Sequence, residues 1–301
     1  MALTRRQMLM ASGAALLGPA LASRSLASAT LRGLAGKKVL FFTKSSGFQH
    51  SVITRKDGAL SLAETILSKI GKDHDIEVVC SKDGTMFDPD KIKQFDAFAF
   101  ETTGDLTEEG PHKDGPPMSK DGKKAFLDAI HDGKGFFGMH CATDTFHSKG
   151  NEVDPYIKMI GGEFVSHGSQ QKVKIDICDP KFPGASGFGT SSFDLLDEWY
   201  AQKNQPEDLH VILAHDTASF GDKTGGNKVY DRPNFPETWT RMHGKGRVFY
   251  TSMGHREDVW ENPMYQGLLL GAMTWALGQV DADVKPNVMT CTPHFQTLHK
   301  D

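Results

Sequence analysis

The sequence predicts an α/β fold built on a doubly wound, mostly parallel sheet. Two observations lead there. Short apolar runs at 38–43, 76–80, 95–100 and 135–139 read as buried strands that end in loop residues. Between them lie segments whose apolar residues fall at helical spacing, and strands alternating with helices imply parallel βαβ units. Such sheets bind ligands beyond the carboxyl ends of their strands, so the residues after each run are where function is sought.

In order, Lys38-Val39-Leu40-Phe41-Phe42-Thr43 is the first strand, closing at Lys44-Ser45-Ser46-Gly47. Leu60, Leu62, Ala63, Ile66, Leu67 and Ile70 predict a helix over 56–70. Strands follow at 76–80 and 95–100, then a helix over 119–132, then the strand 135–139. Beyond it the pattern loosens. Residues 172–177 alternate as a half-exposed strand, 209–214 and 247–251 read as further strands, and 263–278 as a helix carrying Leu268, Leu269, Leu270, Met273 and Trp275. The tail 280–301 lacks periodicity and is expected along the surface. Two polar loops rich in Gly and Pro, 103–118 and 219–238, suit lids or simple decoration. No internal repeat is evident.

Composition and termini narrow the class. Thr4-Arg5-Arg6-Gln7-Met8-Leu9 resembles a twin-arginine export signal, the apolar stretch 8–22 is too short to span a bilayer, and Ala27-Ser28-Ala29 offers small residues for cleavage. Residues 1–29 are therefore expected to be removed, leaving a domain over 30–279 and the tail 280–301 in the periplasm or medium; an uncut membrane anchor is the other reading. Removal takes Arg5, Arg6 and Arg24 and no acid, so the formal charge moves from −4 to −7. An acidic chain without basic runs argues against nucleic acid as partner. No later stretch approaches the length of a membrane span. Cys80, Cys141, Cys178 and Cys291 form no CxxC pair, and four cysteines leave three full disulfide pairings open. A homodimer is the default expectation by frequency.

The strand ends share one feature. Gly47-Phe48-Gln49-His50-Ser51 follows the first strand, Glu101-Thr102-Thr103 the third, His140-Cys141-Ala142-Thr143-Asp144 the fourth and Gly254-His255-Arg256-Glu257 the strand at 247–251. His167 follows the pair Gly161-Gly162. Neutral imidazole can ligate a metal or act as a general base, so His50, His140, His167 and His255 are the candidate ligands of a divalent ion such as zinc. His112, His131, His210, His294 and His299 are read as ordinary surface or core residues, and His147 as bracing the turn at Asp144. His140 stands at the apex of a predicted strand–turn–helix elbow, where many α/β enzymes keep a nucleophile. Cys141, one residue on, should point into the sheet as a small buried side chain. The chain has neither G-x-S-x-G nor HExxH, and no nucleotide cofactor is expected.

GMHCATDTF, GGEFVSHG, DEWY at 197–200 and WTRMHGKGRVFYTSMGHREDVWENP at 239–263 together resemble the trehalose-utilisation, or ThuA-like, family, from about Lys37 to Gly278. The resemblance implies a flavodoxin-like sheet similar to class I glutamine amidotransferases. Those enzymes use a Cys at the elbow and a His-x-Glu after a later strand. Here His140 stands in place of the Cys while His255-Arg256-Glu257 keeps the spacing, so thiol chemistry on glutamine is not expected.

The resemblance also implies carbohydrate metabolism, of disaccharides and their 3-keto derivatives. On that basis His140 and His255 are expected to be catalytic with Glu257 orienting His255. Glu101, Asp144, Glu198, Tyr200 and Trp239 are expected to bind substrate. Trp199, Tyr200, Trp239 and Trp260 could stack on a pyranose face or be core aromatics. The leading expectation is an exported enzyme working on a small-molecule sugar by histidine acid–base or metal-assisted chemistry. The alternatives are a non-catalytic carbohydrate-binding protein on the same fold, and a metal-dependent hydrolase of another substrate.

Overall fold

The computed structural model describes residues 36–221 and 228–298. The export signal expected at 1–29 and part of the loop 219–238 lie outside the described residues. The strands are β1 (Lys37–Phe42), β2 (Ile76–Ser81), β3 (Ala97–Phe100), β4 (Gly135–Met139), β5 (Glu163–His167), β6 (Gln171–Ile177), β7 (Ser192–Asp197), β8 (Tyr200–Lys203), β9 (His210–His215), β10 (Phe235–His243) and β11 (Gly246–Thr251). The helices are α1 (Leu62–Lys72), α2 (Lys120–His131), α3 (Pro155–Ile160), α4 (Glu257–Glu261), α5 (Pro263–Ala276) and α6 (Val288–Cys291).

Among the described residues nine strands form one mixed sheet in the order β2-β1-β3-β4-β11-β10-β9-β6-β7, and β5 pairs with β8 in a small second sheet. The pairs from β2 to β11 are parallel; those from β11 onward are antiparallel. The parallel strands β1, β3 and β4 are the ones whose apolar runs are least interrupted, because both faces are covered. Alternation along them shows what covers each face. Phe98, Phe100 and Phe136 meet Phe126 of α2, and Phe100 and Phe136 also meet Tyr156 of α3. On the opposite face, Phe41 meets Trp260 of α4, while Phe249 stacks with Phe182, which in turn packs on Trp275 of α5. Each such side chain is fully or almost fully buried and contributes roughly 1.5–3 kcal/mol by leaving water.

Two boundaries differ from expectation for identifiable reasons. The helix expected at 56–70 starts at Leu62, because Ser61 and Glu64 close a capping box: Ser61 Oγ accepts from Glu64 N at 3.3 Å and Glu64 Oε2 from Ser61 N at 2.9 Å. The tail does not merely lie on the surface. Asn287 bonds both backbone groups of Val211 in β9, at 2.6 and 3.0 Å, and Val288, Thr292 and Phe295 are buried.

Candidate functional site

The elbow after β4 is a sharp turn. Met139 is still extended, and His140 takes a positive φ of 39° before a single 3-10 turn runs to Asp144. That conformation is costly for a residue with a Cβ; here the surroundings fix it. Tyr250 Oη donates to the His140 carbonyl at 2.6 Å, and His140 Nδ1–H donates to the Ser252 carbonyl at 2.9 Å. The second bond decides the tautomer: with Nδ1 protonated, Nε2 presents its lone pair.

Three loops bring partners to that nitrogen. His50 arrives from the loop after β1, His255 from the loop after β11 and Glu198 from the junction of β7 and β8. One ligand atom from each of His50, His140, Glu198 and His255 lies within 4.8 Å of all the others. His140 Nε2 is 3.3 Å from His255 Nδ1 and 3.5 Å from Glu198 Oε2, and His255 Nδ1 is 3.1 Å from the same oxygen. The His50 ring stands edge-on to those of His140 and His255, with centroids 4.9 and 5.1 Å apart, and its buried Nδ1 has no hydrogen-bond partner.

The groups fit a metal ion. A tetrahedral ion with bonds of about 2.0–2.2 Å would hold its ligand atoms roughly 3.3–3.6 Å apart, close to the 3.1–3.5 Å among His140, His255 and Glu198, with a His50 nitrogen within 4.8 Å of each. The orphaned His50 Nδ1 is a second sign, since a buried unpaired nitrogen otherwise costs free energy. Burial and mutual charge shift three of the four groups. Burial, and then the neighbouring His140 and His255, push His50 down to about 2, so its ring is neutral and able to ligate. Glu198 is held well below the usual carboxylate range: burial opposes this, but the neighbouring His140 and His255 outweigh it. His255 is raised, burial being overcome by the Glu198 carboxylate.

Buried carboxylates set these loops. Asp197 accepts from the backbone N–H of Gly254 at 2.8 Å and of Glu198 at 2.9 Å, tying two ligand loops together. Gly254 has φ 122°, and a Cβ there would meet Tyr265 Oη at 2.7 Å, so the turn into His255 requires glycine. Glu237, fully buried on β10, accepts from Ser252 Oγ at 2.9 Å and Met253 N at 3.0 Å. The polar loop 103–118 braces the His50 loop. Thr103 O accepts from Ser46 N, His112 Nε2–H donates to Gly47 O, and Asp114 pairs with Lys44 and Lys82.

The other expected site residues fall elsewhere. His167 is not among the four convergent groups but touches them: its Nδ1–H lies 3.2 Å from Glu198 Oε1 and 2.9 Å from Gly168 O. Tyr200 packs its buried ring on His140, centroids 4.3 Å apart, behind the site. Glu257, expected to orient His255, accepts instead from Ser51 Oγ at 2.5 Å, because α4 begins at that residue; the carboxylate on His255 is Glu198. Asp144 pairs with His147 at 2.5 Å. Glu101 is sealed beneath the elbow, where burial pushes its carboxyl well up and Cys141 Sγ lies 3.6 Å from it. It cannot touch substrate as expected. Nor can Trp239, which is fully buried and donates from Nε1 to Ile160 O. Trp199, Trp260 and Trp275 are buried too, so of the two readings left open for Trp199, Trp239 and Trp260 the core one holds. Glu237 and Phe48 were not singled out from sequence; a lone Glu in a strand and a lone Phe in a loop give no signal by themselves.

Cys141 is fully buried, and burial followed by the Glu101 charge pushes its thiol well up. Iodoacetamide on the folded protein should leave Cys141 unmodified by peptide mass spectrometry, with full labelling in denaturant. Rapid labelling of the native chain would restore a thiol mechanism.

Fold and site define an α/β protein with a three-histidine, one-carboxylate centre at the carboxyl edge of its parallel strands. The chain belongs to the trehalose-utilisation (ThuA) family, whose profile it matches over residues 38–276. Among solved structures it is similar to a putative ThuA-like protein of Bacteroides uniformis, at 19% identity and a TM-score of 0.61, over 84% of this chain and 95% of that one. A putative ThuA-like protein of Parabacteroides merdae follows at 16% and 0.58, over 82% and 92%. A cytoplasmic protein of Salmonella typhimurium is similar at 10% and 0.51, over 80% and 98%. These likenesses bear on the fold. No curated protein matches the sequence.

Proposed function

We propose that the protein is an exported enzyme of carbohydrate catabolism that acts on a sugar or glycoside, 3-keto sugars among them, at a divalent metal held by His50, His140, Glu198 and His255. The observation that carries this reading is the 3.1–3.5 Å spacing of one Glu198 oxygen and two imidazole nitrogens, joined by a His50 ring whose Nδ1 is otherwise unpaired. The family's link to trehalose utilisation supports the substrate class, and the sequence 4–9 with its cleavage-like Ala27-Ser28-Ala29 supports export.

A divalent ion there would supply Lewis-acid polarisation of a keto or hydroxyl oxygen. The chain's own groups do the rest. His50 and His140, both nearly inaccessible, fix the floor. His167 stands at the rim with a side chain 42% exposed. Its Nδ1–H is engaged by Gly168 O and Glu198, which leaves Nε2 as the basic nitrogen. Such a base can take the proton from a carbon next to a sugar keto group, where the carbonyl stabilises the resulting carbanion. From that one step the enolate can expel a β-substituent, giving elimination, or take the proton back at another carbon or face, giving isomerisation.

The test is made on residues 30–301 purified without chelators or a His-tag. Metal content is measured first, then consumption of trehalose and of its 3-keto derivative is followed by NMR before and after removal of the ion. About one ion per chain and ion-dependent consumption are expected. Saccharide binding without any turnover would make the protein a carbohydrate binder. No ion, even after divalent metals are added back, would overturn the metal centre.

A further inference from the structure

The core position of all four tryptophans removes them as the aromatic platform that a sugar ring commonly needs. Phe48 stands where one is missing. It is the most exposed large apolar side chain among the described residues, at 68%, and it lies two residues before His50. Its ring meets the His50 imidazole edge-to-face at a centroid distance of 4.9 Å, with planes 84° apart. One contact thus anchors the phenyl to a site residue while most of its surface remains in water.

A single exposed phenylalanine on a surface needs no explanation. This one differs in how it is held. Thr103 Oγ1 donates to the Phe48 carbonyl at 2.7 Å and accepts from Gly47 N at 3.3 Å; Ser46 N donates to Thr103 O at 2.9 Å and His112 Nε2–H to Gly47 O at 3.0 Å. The loop that carries an apolar group into solvent is therefore tied on both sides of that group. Fixing such a side chain beforehand lowers the ordering cost of binding.

We propose that Phe48 is a specificity-determining residue, the stacking platform that receives the apolar C–H face of a pyranose ring whose reacting carbon faces the His140–His255 centre. This inference rests on the sugar reading above and adds where the ring sits. Stacking on a phenyl face selects cyclic over open-chain polyols, because only the ring offers several C–H groups on one side.

The experiment compares wild type with Phe48→Ala, Phe48→Leu and Phe48→Trp, each loaded with the metal and titrated with trehalose, methyl β-glucoside and the open-chain control sorbitol. Metal content should be the same in all four proteins, which separates this inference from the metal centre. Phe48→Ala and Phe48→Leu should each weaken binding of the two pyranosides by about 3–10-fold, while Phe48→Trp retains it. Since the native tryptophans are buried, the Phe48→Trp ring should report the ligand directly, with a change of emission on adding trehalose and none on adding sorbitol. Wild-type affinity in Phe48→Ala and Phe48→Leu, or a silent Phe48→Trp emission while wild type binds, would overturn the platform. Wild type that holds its metal but binds neither pyranoside would overturn the platform and the sugar reading together.

Discussion

Changing Glu198 to glutamine is expected to lower affinity for a divalent ion by at least about 100-fold, more than the roughly 10–100-fold typical of a group that only orients a ligand. Glu198 supplies the one negative charge against three imidazoles, and its Oε2 lies 3.1 Å from His255 and 3.5 Å from His140. An amide of the same shape keeps the packing and removes the charge. His140→Ala should do the same by removing a nitrogen whose tautomer the Ser252 carbonyl has set. His167→Ala is the control. Of the four convergent groups its ring pairs with Glu198, through the other oxygen at 3.2 Å, so ion affinity should fall tenfold or less while turnover is lost. Competition against a chromophoric chelator gives the affinities. Thermal melts give a second readout: an ion at 100 times its Kd adds about 2.7 kcal/mol, and Glu198→Gln should lose that increment at ion levels that saturate wild type. Equal affinities in wild type and Glu198→Gln would mean that Glu198 is not a ligand and pairs with His255 as an acid–base couple instead.

Much of this geometry was legible in the sequence, for a physical reason. A strand buried on both faces must be apolar throughout, so β1, β3 and β4 announce themselves, and the polar residue that ends each run marks the ligand edge. His50, His140 and His255 were found by that rule, and the structure brings them together. What lay hidden depends on contacts far apart in sequence. β10 contains Pro236, Glu237, Thr238 and Thr240, all buried; with a pairing irregularity at Pro236–Thr238 it reads as loop, yet it runs through the interior of the sheet. That placement is what buries Trp239. Glu198 was singled out for sugar hydroxyls, but its imidazole neighbours are set by the β7–β8 junction, whose strands were not foreseen. Glu257 shows the converse: the His-x-Glu spacing is real, but the start of α4 aims the carboxylate at Ser51.

Glu237 carries the second large effect. Its carboxyl is fully buried, and burial raises it to about 7 despite hydrogen bonds from Thr238, Ser252, Thr251 and the Met253 N–H. The ordinary value is 4.5. Between these two values the folded chain holds a proton that the unfolded chain has released, so stability falls as pH rises through that window and levels off above about 7. The difference corresponds to roughly 3 kcal/mol. Glu237→Gln cannot release a proton and should lack this fall: urea melts at pH 4.5, 6 and 8 should show wild type losing stability relative to the variant, by roughly 3 kcal/mol over the range. Glu237→Ala is different in kind. It strands Ser252 Oγ, at 2.9 Å from the lost carboxyl, and the Met253 N–H, at 3.0 Å, and should cost about 2–6 kcal/mol. It also frees the segment whose Ser252 carbonyl orients His140 and whose continuation delivers His255, so ion affinity should fall by about 10–100-fold. A glutamine variant that tracks wild type at every pH would show that Glu237 stays ionised in the folded protein, held by its four donors, and that the strand–turn segment beneath the site depends on a buried charge.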